Sequence, residues 1–158
     1  MESQEAAKHL ALQKLQDWDK QALAEVIEFR GETTVVVPAN QLLQTAEFLA
    51  SEPSLRFTFL EDLTAVDRFP LEPRFELNYQ LLSIEKALRL RVKVKLPGAD
   101  PAVQTVTSVW PTANWQEREV FDLFGVRFQG HPDLRRILMP EGWEGNPLRK
   151  DYPVEGFR

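Results

Sequence analysis

The chain has 158 residues, 43% of them hydrophobic, with 19 lysine and arginine against 24 aspartate and glutamate for a formal charge of −5. This is the composition of one ordinary globular domain, too apolar for a disordered chain, and the negative balance opposes nucleic acid and anionic lipid. With no cysteine, and histidine only at His9 and His131, it excludes disulfides, thiolate chemistry, cysteine-ligated zinc and iron–sulfur clusters held on this chain's thiolates, and makes a histidine-rich metal site improbable.

Residues 3–16 set Ala6, Ala7, Leu10, Ala11 and Leu15 among Glu, Gln and Lys, which predicts an amphipathic helix. Two short strands follow, Glu25–Phe29 and Thr33–Val37, parted by Arg30-Gly31-Glu32. Residues 40–50 carry Leu42, Leu43, Ala46, Leu49 and Ala50 on one helical face and stop before Pro53. Phe57-Thr58-Phe59 opens a strand that Asp62 and Asp67 bend or end. Then Phe75, Leu77, Tyr79 and Leu81 alternate with Glu76, Asn78 and Gln80, and Leu88 to Leu96 alternate with Arg89, Arg91, Lys93 and Lys95. Period two over such lengths predicts two half-buried strands in an antiparallel hairpin, the cations facing Glu76 and the amides on the outer side. That face is read as solvated or partner-facing, because it lacks the aromatics on which bases stack.

The uncharged stretch Pro101–Gln116 is 16 residues long and studded with polar groups, short of the ~20 apolar residues of a membrane-spanning helix. The start, Met1 to Glu5, is acidic where a presequence would be basic, so the chain reads as unprocessed and cytosolic or organelle-stromal.

A third helix is expected from Asn114, with Glu117 completing a capping box, to a stop at Gly125. Val120, Phe121, Leu123 and Phe124 share its apolar arc. Arg118, Glu119 and Asp122 lie on the opposite, solvated or interface-facing side, with Arg118 and Asp122 as an i,i+4 pair. Glu117 projects into the apolar arc and is therefore predicted to be buried and paired with an arginine distant in sequence.

Residues 125–158 differ from the rest: they hold five of the seven glycines and four of the eleven prolines, six cationic against five acidic residues, and no sustained period. They are also rich in large apolar side chains, which argues against a free tail and for a segment laid across its own domain and then a partner. The chain thus divides into an α+β domain over 1–124, a small mixed or antiparallel sheet with three main helices, and an extended irregular partner-docking tail over 125–158. Arg135-Arg136 and Arg149-Lys150, set among Ile137, Leu138, Trp143 and Leu148, have the look of interface anchors.

Catalytic constellations fare badly. Gly125 and Gly130 have the spacing of a phosphate loop, but His131-Pro132 follows where Lys-Ser/Thr should stand. Glu117, Glu119 and Asp122 could serve as an acid–base set, yet two of them sit beside Arg118 as in an ordinary ion-pair network. His131 is read as a hydrogen bond that holds a turn.

The run Trp110–Gly125, with Glu117, Arg118, Glu119, Phe121, Asp122, Phe124 and Gly125, resembles the signature of the thirty-kilodalton subunit family, the C subunit of respiratory complex I (NADH:quinone oxidoreductase). The resemblance continues through Gly130-His131-Pro132-Asp133-Leu134-Arg135-Arg136-Ile137-Leu138 and closes on Pro147-Leu148-Arg149-Lys150-Asp151-Tyr152-Pro153. Gln116 and Asn146 depart from the pattern without touching its charged core. The resemblance implies a non-catalytic connecting subunit of the peripheral arm that embraces the quinone-site subunit (the D subunit), near other arm members such as the B subunit. It implies no cofactor on this chain, FMN and iron–sulfur clusters in the partner subunits, and a place on the cytoplasmic side of a bacterial membrane, reached only through the complex. In this reading Glu117, Arg118, Glu119 and Asp122 fasten the tail to the domain, and Phe128–Tyr152, with Trp143, holds the quinone-site subunit. Two other readings stay open: the same scaffold in a membrane-bound hydrogenase or a ferredoxin:plastoquinone oxidoreductase, and an independent soluble acid–base hydrolase.

Overall fold

The computed structural model describes the backbone of residues 2–157 and the side chains of residues 9–157. Helix α1 spans Glu2–Trp18 and buries Ala11 and Leu15; the face expected of Ala6 and Ala7 lies outside the described side chains. Strands β1 (Glu25–Phe29) and β2 (Glu32–Val36) form a hairpin whose two linking residues, Arg30 and Gly31, both take positive φ. A 3-10 turn at Ala39–Gln41 runs into α2, Leu42–Ser51, which turns Leu42, Thr45, Ala46 and Leu49 inward.

Strands β3 (Phe59–Asp67), β4 (Phe75–Ser83) and β5 (Leu88–Leu96) complete a five-stranded sheet in the order β1-β2-β5-β4-β3. All neighbours are antiparallel except β2 and β5, which makes the sheet mixed and the fold α+β. The period-two reading is borne out: Leu77, Tyr79, Leu81, Val92 and Val94 are buried and join one core with α1, α2 and Trp110. On the outer face each cation of the β5 row meets a carboxylate from a different neighbour: Arg89 with Glu61, Arg91 with Glu32, Lys93 with Glu76 and Lys95 with Glu25, at 3.2, 2.6, 3.0 and 3.2 Å.

Phe57 and Thr58 precede β3 instead of opening it. Phe57 is claimed by the loop after α2, its N–H donating to Leu49 O, and the Trp110 indole donates to its carbonyl. The bend expected near Asp62 is a register shift between Leu60 and Asp62, so Glu61 is the extra residue of a bulge, and the strand ends at Asp67.

A second sheet falls outside the sequence reading: β6 (Ala102–Gln104) pairs in parallel with β7 (Arg127–Gln129), strands too short to show a period. Between them lies α3, Ala113–Phe124. Its N-cap is Thr112, with no side-chain cap bond, so the expected capping box at Asn114 does not form; the Asn114 carbonyl serves a different partner, His131. Gly125 closes the helix in the left-handed region at φ 73°, its N–H donating to Phe121 O. After β7 the described chain runs through turns alone, as expected of the tail.

Candidate functional site

The residues singled out in the sequence converge on α3 and on the ribbon that follows β7. Asp122, on α3, is fully buried. One carboxylate oxygen accepts from Arg136 Nη1 at 2.6 Å, and the other accepts the backbone N–H groups of Ile137, Leu138 and Met139 at 3.0, 2.8 and 2.8 Å. Burial pushes this carboxyl up, but the Met139 N–H, the Arg136 guanidinium and the Leu138 and Ile137 N–H groups outweigh it and hold the carboxyl below its ordinary value. Arg118 does not pair with Asp122, contrary to the i,i+4 spacing. It is buried, stacks on the Trp115 ring at 5.1 Å, and donates to the carbonyls of Arg135 and Arg136 at 3.1 Å each. The face of α3 expected to be solvated or an interface is therefore the seat of the ribbon. Glu119 alone stays exposed there and makes no hydrogen bond or ion pair among the described residues.

The ribbon also returns to the helix end it left. A helix leaves its last four carbonyls without partners. Here Phe121 O accepts from Gly125 N, Asp122 O from Asn146 Nδ2 at 3.0 Å, Leu123 O from Leu148 N at 3.0 Å, and Phe124 O from Arg149 Nε at 2.6 Å. Arg136 and Arg149 bring positive charge to the negative end of the helix dipole. Gly125 sits where this closure is tightest, since a Cβ there would lie 2.5 Å from Asn146 Oδ1 and 2.7 Å from Arg149 Nη2. Gly125→Ala is expected to cost about 2 kcal/mol, from the left-handed backbone and the displaced ribbon together, readable as a lowered thermal midpoint.

A second clamp holds the ribbon farther on. Asp67, at the end of β3, accepts Arg74 through Nε and Nη2, both at 2.8 Å, and the Lys150 N–H at 2.8 Å. Hydrogen bonds from Arg74 hold the Asp67 carboxyl well below the usual carboxylate range. The same guanidinium grips Asp151 at 3.0 and 2.6 Å and lies over Phe69 and Phe75, while Arg149 lies over Phe75 at 5.1 Å. In the sequence Asp67 reads only as a strand end and Arg74 belongs to no pattern; its one signal is a lone arginine between Pro73 and a strand. Near the end of the ribbon, Tyr152 donates to Glu144 O and meets Phe157 edge-on, with Gly145 beneath, where a Cβ would come within 2.8 Å of both rings.

Glu117 is buried as expected, at 0% exposure, but among the described residues no arginine reaches it. Its carboxyl takes the Thr105 hydroxyl and the Val106 N–H, which belong to the loop after β6. An arginine is expected where a buried carboxylate needs a cation; here burial pushes the group up to about 7, and a carboxyl that keeps its proton can do without one. His131 holds a turn, as its place in the sequence suggests: Asp133 N–H donates to Nδ1 at 3.0 Å, and Nε2 donates to Asn114 O at 3.0 Å. It follows Gly130 at the end of β7.

Arg136 and Arg149 thus spend their donors inside the chain, and Arg136 Nη2 also reaches the carbonyls of Trp143 and Gly145 at 2.9 Å. Arg135 is exposed and holds Asp133, and the Lys150 side chain is exposed. Among these charges the ribbon also offers large apolar side chains outward: Leu138 is 59% and Leu148 51% exposed, and Trp143, Val154 and Phe157 are exposed too. Among the described residues no cluster of three His, Asp or Glu could hold a metal, and no helix is long and apolar enough to cross a membrane.

The family model described as respiratory-chain NADH dehydrogenase, 30 Kd subunit, matches residues 35–158, from β2 through the whole ribbon. The C subunit of NADH-quinone oxidoreductase from Geobacter sulfurreducens is 47% identical over 152 residues, covering 96% of this chain and 93% of its own length. The corresponding C 2 subunit of Rhizobium meliloti is 52% identical over 122 residues, covering 77% of this chain, which spans 66% of that relative. Among solved structures, the trypsin-resistant fragment (1-134) of Nqo5 superposes with a TM-score of 0.65 at 33% identity, over 78% of this chain and 99% of the fragment. A chain of the membrane-bound sulfane sulfur reductase, an archaeal respiratory membrane complex, gives 0.77 at 27% identity, over 94% and 86%. A chain whose helix signature and ribbon are both contained in that match belongs to the thirty-kilodalton subunit family of the respiratory-chain NADH dehydrogenase, the C subunit of NADH-quinone oxidoreductase.

Proposed function

We propose that this chain is a connecting subunit without an active site of its own, which holds the quinone-site subunit, the D subunit of the complex, through residues 125–158. Neighbours such as the B subunit carry, with other members of the arm, the FMN and iron–sulfur clusters that pass electrons from NADH to quinone. The observation that carries this reading is the ribbon itself. Two buried carboxylates and a helix end fasten it to the domain, yet Leu138, Trp143, Leu148, Val154 and Phe157 are left outside. Large apolar side chains on a fixed backbone, between polar anchors, are the makings of a protein interface. The acid–base alternative is poorly served, because Asp122 already accepts four hydrogen bonds and Glu117 has no access to solvent. Each cation of the outer sheet faces a carboxylate, which lessens its pull on a nucleic-acid backbone. The chain would lie at the cytoplasmic side of a bacterial membrane through the complex alone. Nqo5 yields a trypsin-resistant fragment of residues 1–134, which supports division into a resistant domain and a more accessible ribbon.

The test uses exposed residues, because the buried arginines serve the fold. Trp143→Ala and Leu148→Ala should each weaken capture of the quinone-site subunit in the native host about tenfold or more, while the thermal midpoint of the isolated chain hardly moves. Full capture by both variants would refute the reading. The likeness to the sulfane sulfur reductase chain favours one second reading, the same scaffold in a related respiratory complex; the electron donor oxidised by the purified complex separates the two.

A further inference from the structure

One buried ionisable group stands apart from the clamps at Asp122 and Asp67. Glu117 lies inside the domain at the point where α3, the loop after β6 and the root of the ribbon meet. Its Oε2 is 3.9 Å from His131 Nε2, and both side chains are fully buried. His131 is the residue through which the chain leaves β7 and enters the ribbon. The Asp133 N–H occupies Nδ1, so the ring hydrogen is on Nε2, shared geometrically between the Asn114 carbonyl at 3.0 Å and the Glu117 carboxyl beyond it.

The surroundings accept Glu117 in either protonation state. Thr105 Oγ1 lies within hydrogen-bond reach of Glu117 Oε2, of Thr107 Oγ1 at 3.0 Å and of the Thr107 N–H at 3.2 Å. A protonated Glu117 donates to Thr105, whose hydroxyl then turns to Thr107; an ionised Glu117 accepts from Thr105, and Thr107 turns its hydroxyl to Thr105 instead. Two hydroxyl rotations let Thr105 and Thr107 serve either state without shifting their own heavy atoms. The other groups facing this carboxyl do not supply a cation. Tyr79 on β4 is fully buried, and burial with the Glu117 charge pushes its hydroxyl further up, so it stays neutral. On β3, which packs along α3, Glu61 and Asp67 are committed to Arg89 and Arg74, and Asp62 is exposed. On α3 itself, Arg118 is turned to the ribbon carbonyls and Asp122 to Arg136.

We propose that Glu117 is a proton-operated latch on the root of the ribbon: protonated, it leaves His131 bound to Asn114 and the 131–133 turn closed, and ionised, it draws the Nε2 hydrogen across and loosens that turn. The movement required is small, about 1 Å, the difference between a contact just out of range and an ordinary hydrogen bond. It exchanges a neutral carbonyl acceptor for an anion, the stronger acceptor in a buried site. The ring then tilts away from the Asp133 N–H, and the ribbon loses its first tie. The tie to Asp67 and Arg74 is remote from the latch and is unaffected. The inference concerns this chain alone and holds whichever partner the ribbon meets.

The test is a pH series on the full chain, labelled with 13C and 15N, from about pH 5 to about pH 9. The Glu117 carboxyl resonance should titrate in the neutral range. Across the same midpoint the His131 Nε2 resonance should shift, and the amides of residues 131–136 should lose about tenfold in hydrogen-exchange protection beyond the intrinsic rise with pH. Amides 148–151 should show no such step. In Glu117→Gln the step should vanish with the turn closed throughout. A carboxyl already ionised at the acid end, or protection at 131–136 that ignores the Glu117 midpoint, overturns the proposal. The wild-type titration decides the matter even if the variant does not fold.

Discussion

Asp122→Ala should destabilise the chain by about 4 kcal/mol, the range for breaking one side of a buried charged network. The variant strips the acceptor from three consecutive ribbon N–H groups and leaves Arg136 facing carbonyls only. Urea unfolding reads the loss, and trypsin reads its location, because Arg135, Arg136 and Arg149 should become cleavable well before the domain unfolds. Cleavage no faster than in the wild type would sink the claim that Asp122 holds the ribbon. The pH sign follows from a carboxyl held below its ordinary value of 3.8. Its stabilisation is complete above that value and is lost as pH falls through the lower value in the folded chain. Acid should therefore free the ribbon at this point, and the variant should lack that acid step.

Glu117→Gln is expected to act in the opposite direction. A carboxyl raised from 4.5 to about 7 binds a proton in the folded chain that the unfolded chain has already lost. Its contribution is present below about pH 4.5 and disappears as pH rises to about 7, a loss of about 3 kcal/mol by the end of that window. Glutamine copies the protonated acid, its amide donating where the acid O–H did and its oxygen accepting the Val106 N–H. Relative to wild type, Glu117→Gln should be near neutral at acid pH and stabilising by up to about 3 kcal/mol above neutrality. Urea midpoints at paired pH values measure the difference directly. Equal midpoints at every pH would mean that Glu117 holds its proton no more tightly in the fold than in the unfolded chain. Two carboxylates five positions apart on one helix thus give stability opposite slopes with pH.

Much of the architecture is legible from spacing. Alternation over Phe75–Leu81 and Leu88–Leu96 gives the hairpin because period two survives any choice of neighbours. Gly125 marks the end of α3, and the run of glycine and proline beyond it marks a stretch without regular structure. The differences arise where local spacing carries no information. Helical periodicity tells which residues of α3 lie together, not what covers them. It therefore leaves Arg118 and Asp122 on a polar face that could be solvated or an interface, and a segment 14 to 18 residues onward lies over them. Sequence reasoning looks for an arginine opposite Glu117, although hydroxyl and amide donors suffice once the acid keeps its proton. The β6–β7 pair is invisible because three residues cannot establish a period, and the parallel pairing of β2 with β5 because alternation carries no strand order. The Asp67–Arg74–Asp151 clamp ties a pair 7 positions apart to a residue 77 positions beyond Arg74, which no local pattern encodes.

The two clamps and the closed helix end also carry a temporal consequence. Every group that receives the ribbon, from Asp67 and Arg74 to the final carbonyls of α3, precedes it in the chain. During synthesis, at roughly 5–20 residues per second, the receiving surface can be complete while the segment destined for it is still inside the ribosome. A ribbon made after the surface that receives it threads onto a finished template, and the interval when its leucines and tryptophan have nowhere to go is kept short.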